Sequence, residues 1–329
     1  MKLAIVGATG LVGTKMMEVV EREGIPFDEL TLFSSKKSAG QVVSFKGQDY
    51  EVQELTEERA AEHYDYVLMS AGGGTSLQFS PIFEQAGAVV IDNSSAFRMQ
   101  EDIDLIVPEV NQPKLSRTII ANPNCSTIQS VVPLKPLADQ FGLKRVAYTT
   151  YQAVSGSGLA GLNDLREGAQ GAEPTNYPHP IHNNVLPHID VFQEDGYTKE
   201  EVKMVEETKK ILQLPELRVT ATCVRVPVED SHSVAINVTL EKPATVEAIR
   251  EVLSHQQGVV VVDDVENNAY PLAIHSTGRD EVFVGRIRAD ESLDNTFHIW
   301  CTADNLLKGA ALNAVQILES LLEERGQTQ

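Results

Sequence analysis

An apolar strand-like run, Lys2 to Val6, leads directly into Gly7-Ala8-Thr9-Gly10-Leu11-Val12-Gly13, and a helical pattern opens from Leu11 to Glu23. A G-x-x-G-x-x-G turn between a buried strand and a helix is a variant of the dinucleotide fingerprint. Its glycines let the backbone approach a pyrophosphate, and the helix N-terminus offers free N–H groups and positive potential. Gly7, Thr9, Gly10, Leu11 and Val12 are therefore expected to touch a dinucleotide. The motif also restricts the fold. Further short apolar strands are expected at Leu30–Phe33, Tyr66–Met69 and Ala88–Ile91, with a helical pattern at Ser76–Gln85. Strands alternating with helices imply a parallel, doubly wound sheet.

Past about residue 141 the pattern changes. Arg145–Tyr151, Arg218–Val226, Ser233–Leu240 and Glu281–Ala289 read as longer, alternating or β-branched strands, which imply a mixed or antiparallel sheet. The tail, Asp304 to Glu324, reads as an amphipathic helix that returns to the first domain. With 329 residues there is room for two domains. The expected fold is α/β: a Rossmann-like domain of residues 1–125 plus 304–329, and a second, α+β domain of residues 126–303 on a mixed sheet.

The end of the second strand selects the dinucleotide. NAD enzymes place a carboxylate there to hold the ribose 2′-hydroxyl. This chain has Phe33-Ser34-Ser35-Lys36-Lys37-Ser38 and no carboxylate. Hydroxyls and lysines suit a 2′-phosphate, so Ser35, Lys37 and Ser38 are expected to bind NADP(H).

The chemistry concentrates in Asn122-Pro123-Asn124-Cys125-Ser126-Thr127. Asn124 is a natural N-cap, which puts Cys125 at the first turn of a helix expected over Ser126 to Ala138. The helix dipole and free N–H groups there favour thiolate over thiol, so Cys125 reads as a nucleophile. The other cysteines, Cys223 and Cys301, sit in apolar strand-like contexts and read as structural. Three widely spaced cysteines without C-x-x-C argue against disulfides or zinc and fit a reducing cytoplasm. The net charge of −20 disfavours nucleic acid and anionic membranes as partners. No apolar run is long enough to span a bilayer, and Met1-Lys2 running straight into a strand leaves no room for a signal peptide. His179, His182 and His188 lie close in sequence, but Pro178, Pro180 and Pro187 break any ligand spacing, and no metal is expected.

Ordered segments throughout the chain resemble those of the aspartate-semialdehyde dehydrogenase family. They are G-A-T-G-L-V-G (Gly7 to Gly13), S-A-G-G-G-T-S (Ser70 to Ser76), D-N-S-S-A-F-R (Asp92 to Arg98), V-P-E-V-N (Val107 to Asn111) and N-P-N-C-S-T (Asn122 to Thr127). Q-A-V-S-G-S-G (Gln152 to Gly158), E-E-V-K (Glu200 to Lys203), C-V-R-V-P-V (Cys223 to Val228) with His232, and D-N-L-L-K-G-A-A (Asp304 to Ala311) follow. The resemblance implies reversible reductive dephosphorylation of L-aspartyl-4-phosphate by NADPH to aspartate semialdehyde and phosphate, through a Cys125 thioester, toward lysine, methionine and threonine. It also implies an NADP-binding domain, a catalytic domain carrying the dimer contact, and a homodimer or tetramer.

The same resemblance assigns roles to individual residues. His232 is the acid/base group and Gln152 positions the acyl group beside Cys125. Arg225 grips the substrate carboxylate and Glu200 its ammonium, while Arg98, Lys203 and Asn93 bind phosphate. Ser70, Ala71, Gly72, Thr75, Ser155, Gly156, Gly158 and Asn305 join the dinucleotide site. Glu200 and Lys203, three apart on one helix face, are expected to read opposite ends of the substrate rather than each other. The Cys125 N–H and the Asn124 side chain are candidate oxyanion donors.

Two segments depart from the family's pattern. Glu229-Asp230 precede Ser231-His232 and either raise the histidine's pKa or face solvent. His179-Pro180-Ile181-His182-Asn183-Asn184-Val185 is more polar than usual, at the expected dimer contact. The competing readings are an N-acetyl-glutamyl-phosphate reductase, which carries Gly before and Tyr after its cysteine where this chain has Asn124 and Ser126, and a non-catalytic dinucleotide-binding paralogue. Glyceraldehyde-3-phosphate dehydrogenase, with Thr-Thr-Asn after its cysteine, does not match.

Overall fold

The structure, a computed structural model, describes residues 1–324 and residue 326. The chain divides into two compact units. One is Met1–Pro123 with the segment from Ala310 onward, and the other is Asn124–Gly309. The division falls before Asn124, so Cys125 belongs to the second unit and not to a domain ending at residue 125. The reason is local: Asn124 and the helix it opens are bonded to side chains of the second unit.

In the first unit, the strands are β1 (Lys2–Val6), β2 (Glu29–Ser34), β3 (Val42–Phe45), β4 (Gln48–Glu51), β5 (Gln53–Glu54), β6 (Tyr66–Met69), β7 (Val89–Asp92), β8 (Asp104–Leu105) and β9 (Ile119–Ala121). The helices among them are α1 (Leu11–Arg22), α2 (Glu57–Ala60) and α3 (Gly73–Gln85). Seven strands form one sheet in the order β5-β2-β1-β6-β7-β9-β8, and every pairing in it is parallel. The strands β6 and β7 are buried throughout, as the continuous apolar runs of a doubly covered sheet require. From β1 the chain winds one way through α1 to β2; from β6 it winds the other way through α3 to β7. The connections leaving β1 and β6 therefore run to opposite sides, which opens a crevice at the strands' carboxyl ends. The β3–β4 hairpin was not expected from sequence, because its strands are largely solvent-facing and carry no clear apolar alternation.

The C-terminal helix spans Leu312–Glu324, not the whole stretch from Asp304, because a π-turn occupies Leu307–Ala311. It packs on α1, β6 and β7 and buries Leu312, Val315, Ile317, Leu318, Leu321 and Leu322. At about 1.5–3 kcal/mol for each fully buried Leu, Ile or Val, that packing fixes the helix in the first unit.

The second unit contains α4 (Cys125–Phe141), β10 (Leu143–Gln152), α5 (Gly158–Gly168), α6 (Lys199–Leu212), β11 (Arg218–Arg225), β12 (His232–Leu240), α7 (Val246–Ser254), β13 (Val259–Val261), β14 (Val282–Ala289) and β15 (Thr296–Ala303). Its mixed sheet runs β11-β10-β12-β15-β14-β13, with β10–β11 and β13–β14 parallel and the other pairs antiparallel. The helix α4 packs on β10, β12, β14 and β15 and also on α6 and α7, which themselves pack on β11 and on β13 and β14. It is therefore apolar or small nearly all round, and it tolerates two internal prolines. Pro133 cannot donate to the Gln129 carbonyl one turn back; the Cys301 thiol donates to it instead, at 3.2 Å. Among the described residues no helix is long and apolar enough to cross a membrane.

Candidate active site

The crevice of the first unit is lined by Gly7, Thr9, Gly10, Ser34, Ser35, Ser70, Ala71 and Thr75, with Val6, Leu55 and Phe79 behind them. Gly7 has φ +77°, and a Cβ there would sit 2.0 Å from the Ser70 carbonyl oxygen, so only glycine permits this approach of the two loops. Gly10 caps α1 and Gly72 caps α3 without a side-chain hydrogen bond, and neither first turn carries an acid. Two helix N-termini thus keep their N–H groups for an anion, which fits a pyrophosphate. Leu11 and Val12 open α1. After β2, Ser35 and Lys37 are exposed and Ser38 closes a turn onto the Ser35 carbonyl. Sequence reasoning overlooked one carboxylate: β5 brings Glu54 beside Ser34. Glu54 lines a different cavity with Thr56 and Arg59. The crevice wall itself carries no acid.

Asn93 and Arg98 also belong to the first unit. Arg98 is buried, and its Nε and Nη2 donate to the carbonyls of Asn122 and Asn93, both at 2.9 Å, which sets the plane of the guanidinium. Asn93 accepts from Asn122 at 2.7 Å. The loop between them is pinned by Asp92, which accepts from Ser94 N–H and Oγ and from Ser76 Oγ of α3.

In the second unit Cys125 is the first residue of α4, with Asn124 as N-cap: its Oδ1 accepts from Ser126 N at 3.0 Å and Thr127 N at 3.2 Å. A Cβ on Gly309 would lie 3.0 Å from Cys125 Cβ, so a glycine backs Cys125. The Asn124 amide donates to Glu200 Oε1 at 2.8 Å, and Gln152 Nε2 donates to the same oxygen at 3.1 Å. One Asn124 amide hydrogen is therefore committed to a carboxylate. Gln152 stands opposite Arg225 in the β10–β11 register, so both point to one face. Arg225 Nη1 donates to the Ala153 carbonyl at 2.7 Å, while Ala153 N–H donates to His232 Nδ1 at 2.9 Å. Gln129, one turn along α4 from Cys125, donates to the His232 carbonyl at 3.1 Å. Hydrogen bonds thus join Asn124, Glu200 and Gln152, and Ala153, next in the chain after Gln152, is bonded to both Arg225 and His232.

Two of these side chains each keep one buried nitrogen without a hydrogen bond. Arg225 is 5% exposed, its Nε has no hydrogen bond, and among the described residues no carboxylate pairs with it; the Tyr177 ring lies against it at 5.8 Å. A buried guanidinium in that state is a receptor for an anion. His232 is 0% exposed with Nε2 unbonded. Because Nδ1 accepts the Ala153 N–H, the neutral ring carries its proton on Nε2. A Cβ on Gly156 would fall 3.0 Å from Arg225 Nη1 and 3.4 Å from His232 Nε2, so glycine keeps the space between them clear.

Burial, with Arg225 beside it, lowers the His232 pKa to about 3. The preceding acids do not raise it: Glu229 faces Arg166 in a two-pronged pair at 2.8 Å. An unfolded imidazole titrates near ~6.5. From about pH 6.5 down to pH 3 the unfolded chain binds a proton that the folded chain refuses, so stability falls with pH by roughly 1.4 kcal/mol per unit. Above that window the ring is neutral in both states and contributes nothing. His232→Gln is expected to flatten this part of the loss, read from melting curves at pH 7.5, 6.5 and 5.5. Equal slopes in both proteins would contradict a neutral buried ring.

Lys203 and Glu200 do not stand apart. Lys203 Nζ bonds Glu200 Oε2 at 3.0 Å and Asp190 at 2.8 Å. Burial pushes the Glu200 carboxyl up, but Lys203 and the Asn124 and Gln152 amides outweigh it and hold its pKa at about 2. The local i,i+3 spacing allowed this pair; Asp190 comes from a loop that spacing could not reveal. Ser155, Gly156, Gly158 and Asn305 also lie in this unit. Asn305 braces the loop after β10, donating to Ser155 Oγ at 3.0 Å and accepting from Ser231 N at 2.8 Å. His179, His182 and His188 form no cluster: among the described residues no three His, Cys, Asp or Glu side chains could hold a metal.

Residues 2–118 match the semialdehyde dehydrogenase NAD binding domain family, and residues 134–308 the semialdehyde dehydrogenase dimerisation domain family. The chain is 50% identical to the aspartate-semialdehyde dehydrogenase of Aquifex aeolicus, over 98% of each. It is 47% identical to that of Bacillus subtilis, over 97% of this chain and 96% of the relative. Among solved structures, aspartate semialdehyde dehydrogenase II of Vibrio cholerae complexed with ASA superposes with a TM-score of 0.93 at 42% identity, covering 98% of each chain. The Candida albicans enzyme with NADP gives 0.77 at 27% identity, covering 99% of each.

Proposed function

The chain belongs to the aspartate-semialdehyde dehydrogenase family, and from that premise we propose how its residues perform the reaction. The activity is the reversible, phosphate-dependent interconversion of L-aspartyl-4-phosphate and L-aspartate-4-semialdehyde, an oxidoreductase step of amino-acid biosynthesis. Cys125 attacks the acyl carbon, phosphate leaves, and a thioester forms on sulfur. When bound, the nicotinamide dinucleotide donates or accepts the hydride. The observation that carries this reading is a pair of unbonded buried nitrogens, Arg225 Nε and His232 Nε2, on two side chains held by Ala153, the residue after Gln152.

Arg225 takes the substrate carboxylate with its free N–H groups. The Nε2–H of His232 meets the substrate oxygen where negative charge develops; in this tautomer the ring stabilises an oxyanion rather than removing a proton. Gln152 positions the acyl group. Glu200 receives the substrate ammonium and Lys203 phosphate; within the first unit, Arg98 and Asn93 are the phosphate-binding candidates. Binding substrate therefore exchanges the Lys203–Glu200 pair for substrate contacts. The first unit holds the dinucleotide and the second carries catalysis and the contact of a homodimer in the cytoplasm.

NADP is the preferred dinucleotide, because Ser35, Lys37 and Ser38 offer donors and no acid lines the crevice. Steady-state kcat/KM is expected to favour NADP over NAD. Ser35→Asp is expected to narrow that ratio by roughly tenfold or reverse it, since a carboxylate repels a 2′-phosphate and binds a ribose hydroxyl. A preference for NAD in the unaltered protein would count against this assignment.

A further inference from the structure

We infer that Glu207 is a positioning residue for the nucleophile: its buried carboxylate anchors the main chain of the Asn124 cap while Glu200 exchanges partners with substrate. The inference rests on the reading of Cys125 and Glu200 given above. Glu207 lies seven residues after Glu200 on α6, hence on the same face, and is 1% exposed. Its Oε2 accepts from the Asn124 backbone N–H at 2.7 Å.

That N–H belongs to an N-cap residue and has no partner within α4. In many helices a Glu or Gln three residues on folds back to accept it. Here the residue three on is Thr127, which donates its own N–H to Asn124 and whose side chain is bonded to Met204 at 3.5 Å. Glu207 supplies from α6 what the nucleophile helix does not supply for itself. By contrast, α6 has its own complete capping box, Thr198 with Glu201. Two carboxylates therefore grip one residue, Glu200 by its side chain and Glu207 by its backbone. When Glu200 turns to the substrate ammonium, the Glu207 bond remains to keep Cys125 in place.

The test compares Glu207→Ala, Glu207→Asp and Glu207→Gln with Glu201→Ala, which weakens the α6 cap without touching Asn124. Glu207→Asp keeps the charge and withdraws it by one methylene; Glu207→Gln keeps an acceptor at full reach. The Ala and Asp variants are expected to lose kcat by on the order of 10- to 100-fold, with KM for the dinucleotide unchanged. Glu207→Gln is expected to restore most of kcat, and Glu201→Ala to lower Tm while sparing kcat. Should Glu207→Ala not fold, the Asp and Gln pair gives the same comparison. Retention of kcat within about twofold in Glu207→Asp, or losses that follow Tm equally at Glu201 and Glu207, would overturn the inference. Turnover surviving in Cys125→Ala would instead overturn the reading beneath it.

Discussion

Cys125→Ala is expected to lower turnover by on the order of 10⁴-fold or more while dinucleotide binding persists. The first half follows from the position of Cys125. It is the partly exposed cysteine, it starts α4, and its cap is tied to Glu200 and Glu207. The second half follows from the crevice, whose lining residues all belong to the first unit. The other thiols cannot substitute. Burial pushes the Cys301 thiol up to about 12, and its hydrogen is spent on the carbonyl that Pro133 leaves unbonded. Cys223 is fully buried, and burial raises its pKa strongly. Cys223→Ala and Cys301→Ala should therefore keep most activity, with Cys301→Ala losing about 1 kcal/mol of stability for the orphaned carbonyl. Alkylation of the native protein by iodoacetamide should fall on Cys125 and inactivate in proportion. Turnover in Cys125→Ala near that of the unaltered protein would exclude a thioester on this sulfur.

Arg225→Met should separate activity from stability. A guanidinium that is nearly fully buried with Nε unbonded and no counter-charge costs the fold free energy. Methionine fills similar volume without that cost, so Tm should hold or rise. Substrate recognition should collapse. Two charge-assisted hydrogen bonds to a carboxylate are worth about 1.5–3 kcal/mol each, so kcat/KM for the semialdehyde should fall roughly 10²- to 10⁴-fold. Arg225→Lys should rescue little, because an ammonium lacks the planar fork. A fall in Tm with kcat/KM unchanged would make Arg225 a structural residue.

What could be read from sequence was local. The β1-loop-α1 unit shows in the glycine spacing, because Gly13 answers a steric demand made within the same turn, where a Cβ would sit 2.1 Å from the Gly7 carbonyl oxygen. Cys125 at a helix start shows because Asn124 caps within three residues. The partners of that cap were not legible: Glu200 and Glu207 lie on a helix reached only through the folding of β10 and the long segment after it. The Glu200–Lys203 pair was visible as spacing, yet its third member, Asp190, sits in a loop without periodicity. The tail misled because Leu306-Leu307-Lys308 continues a helical pattern, whereas the π-turn at Leu307–Ala311 delays the helix to Leu312. The neutral state of His232 depends first on burial and then on Arg225, both set by the folded sheet rather than by sequence proximity.

The thioester reading is tested most directly by following NADP reduction by L-aspartate-4-semialdehyde with phosphate present and with phosphate withheld. With phosphate, reduction should continue through many turnovers, because phosphate releases the acyl group from Cys125. Without it, reduction should stop after a burst of about one NADPH per Cys125, and Cys125→Ala should show no burst. Sustained reduction at the same rate without phosphate, or no burst from the unaltered protein, would contradict acyl transfer through Cys125.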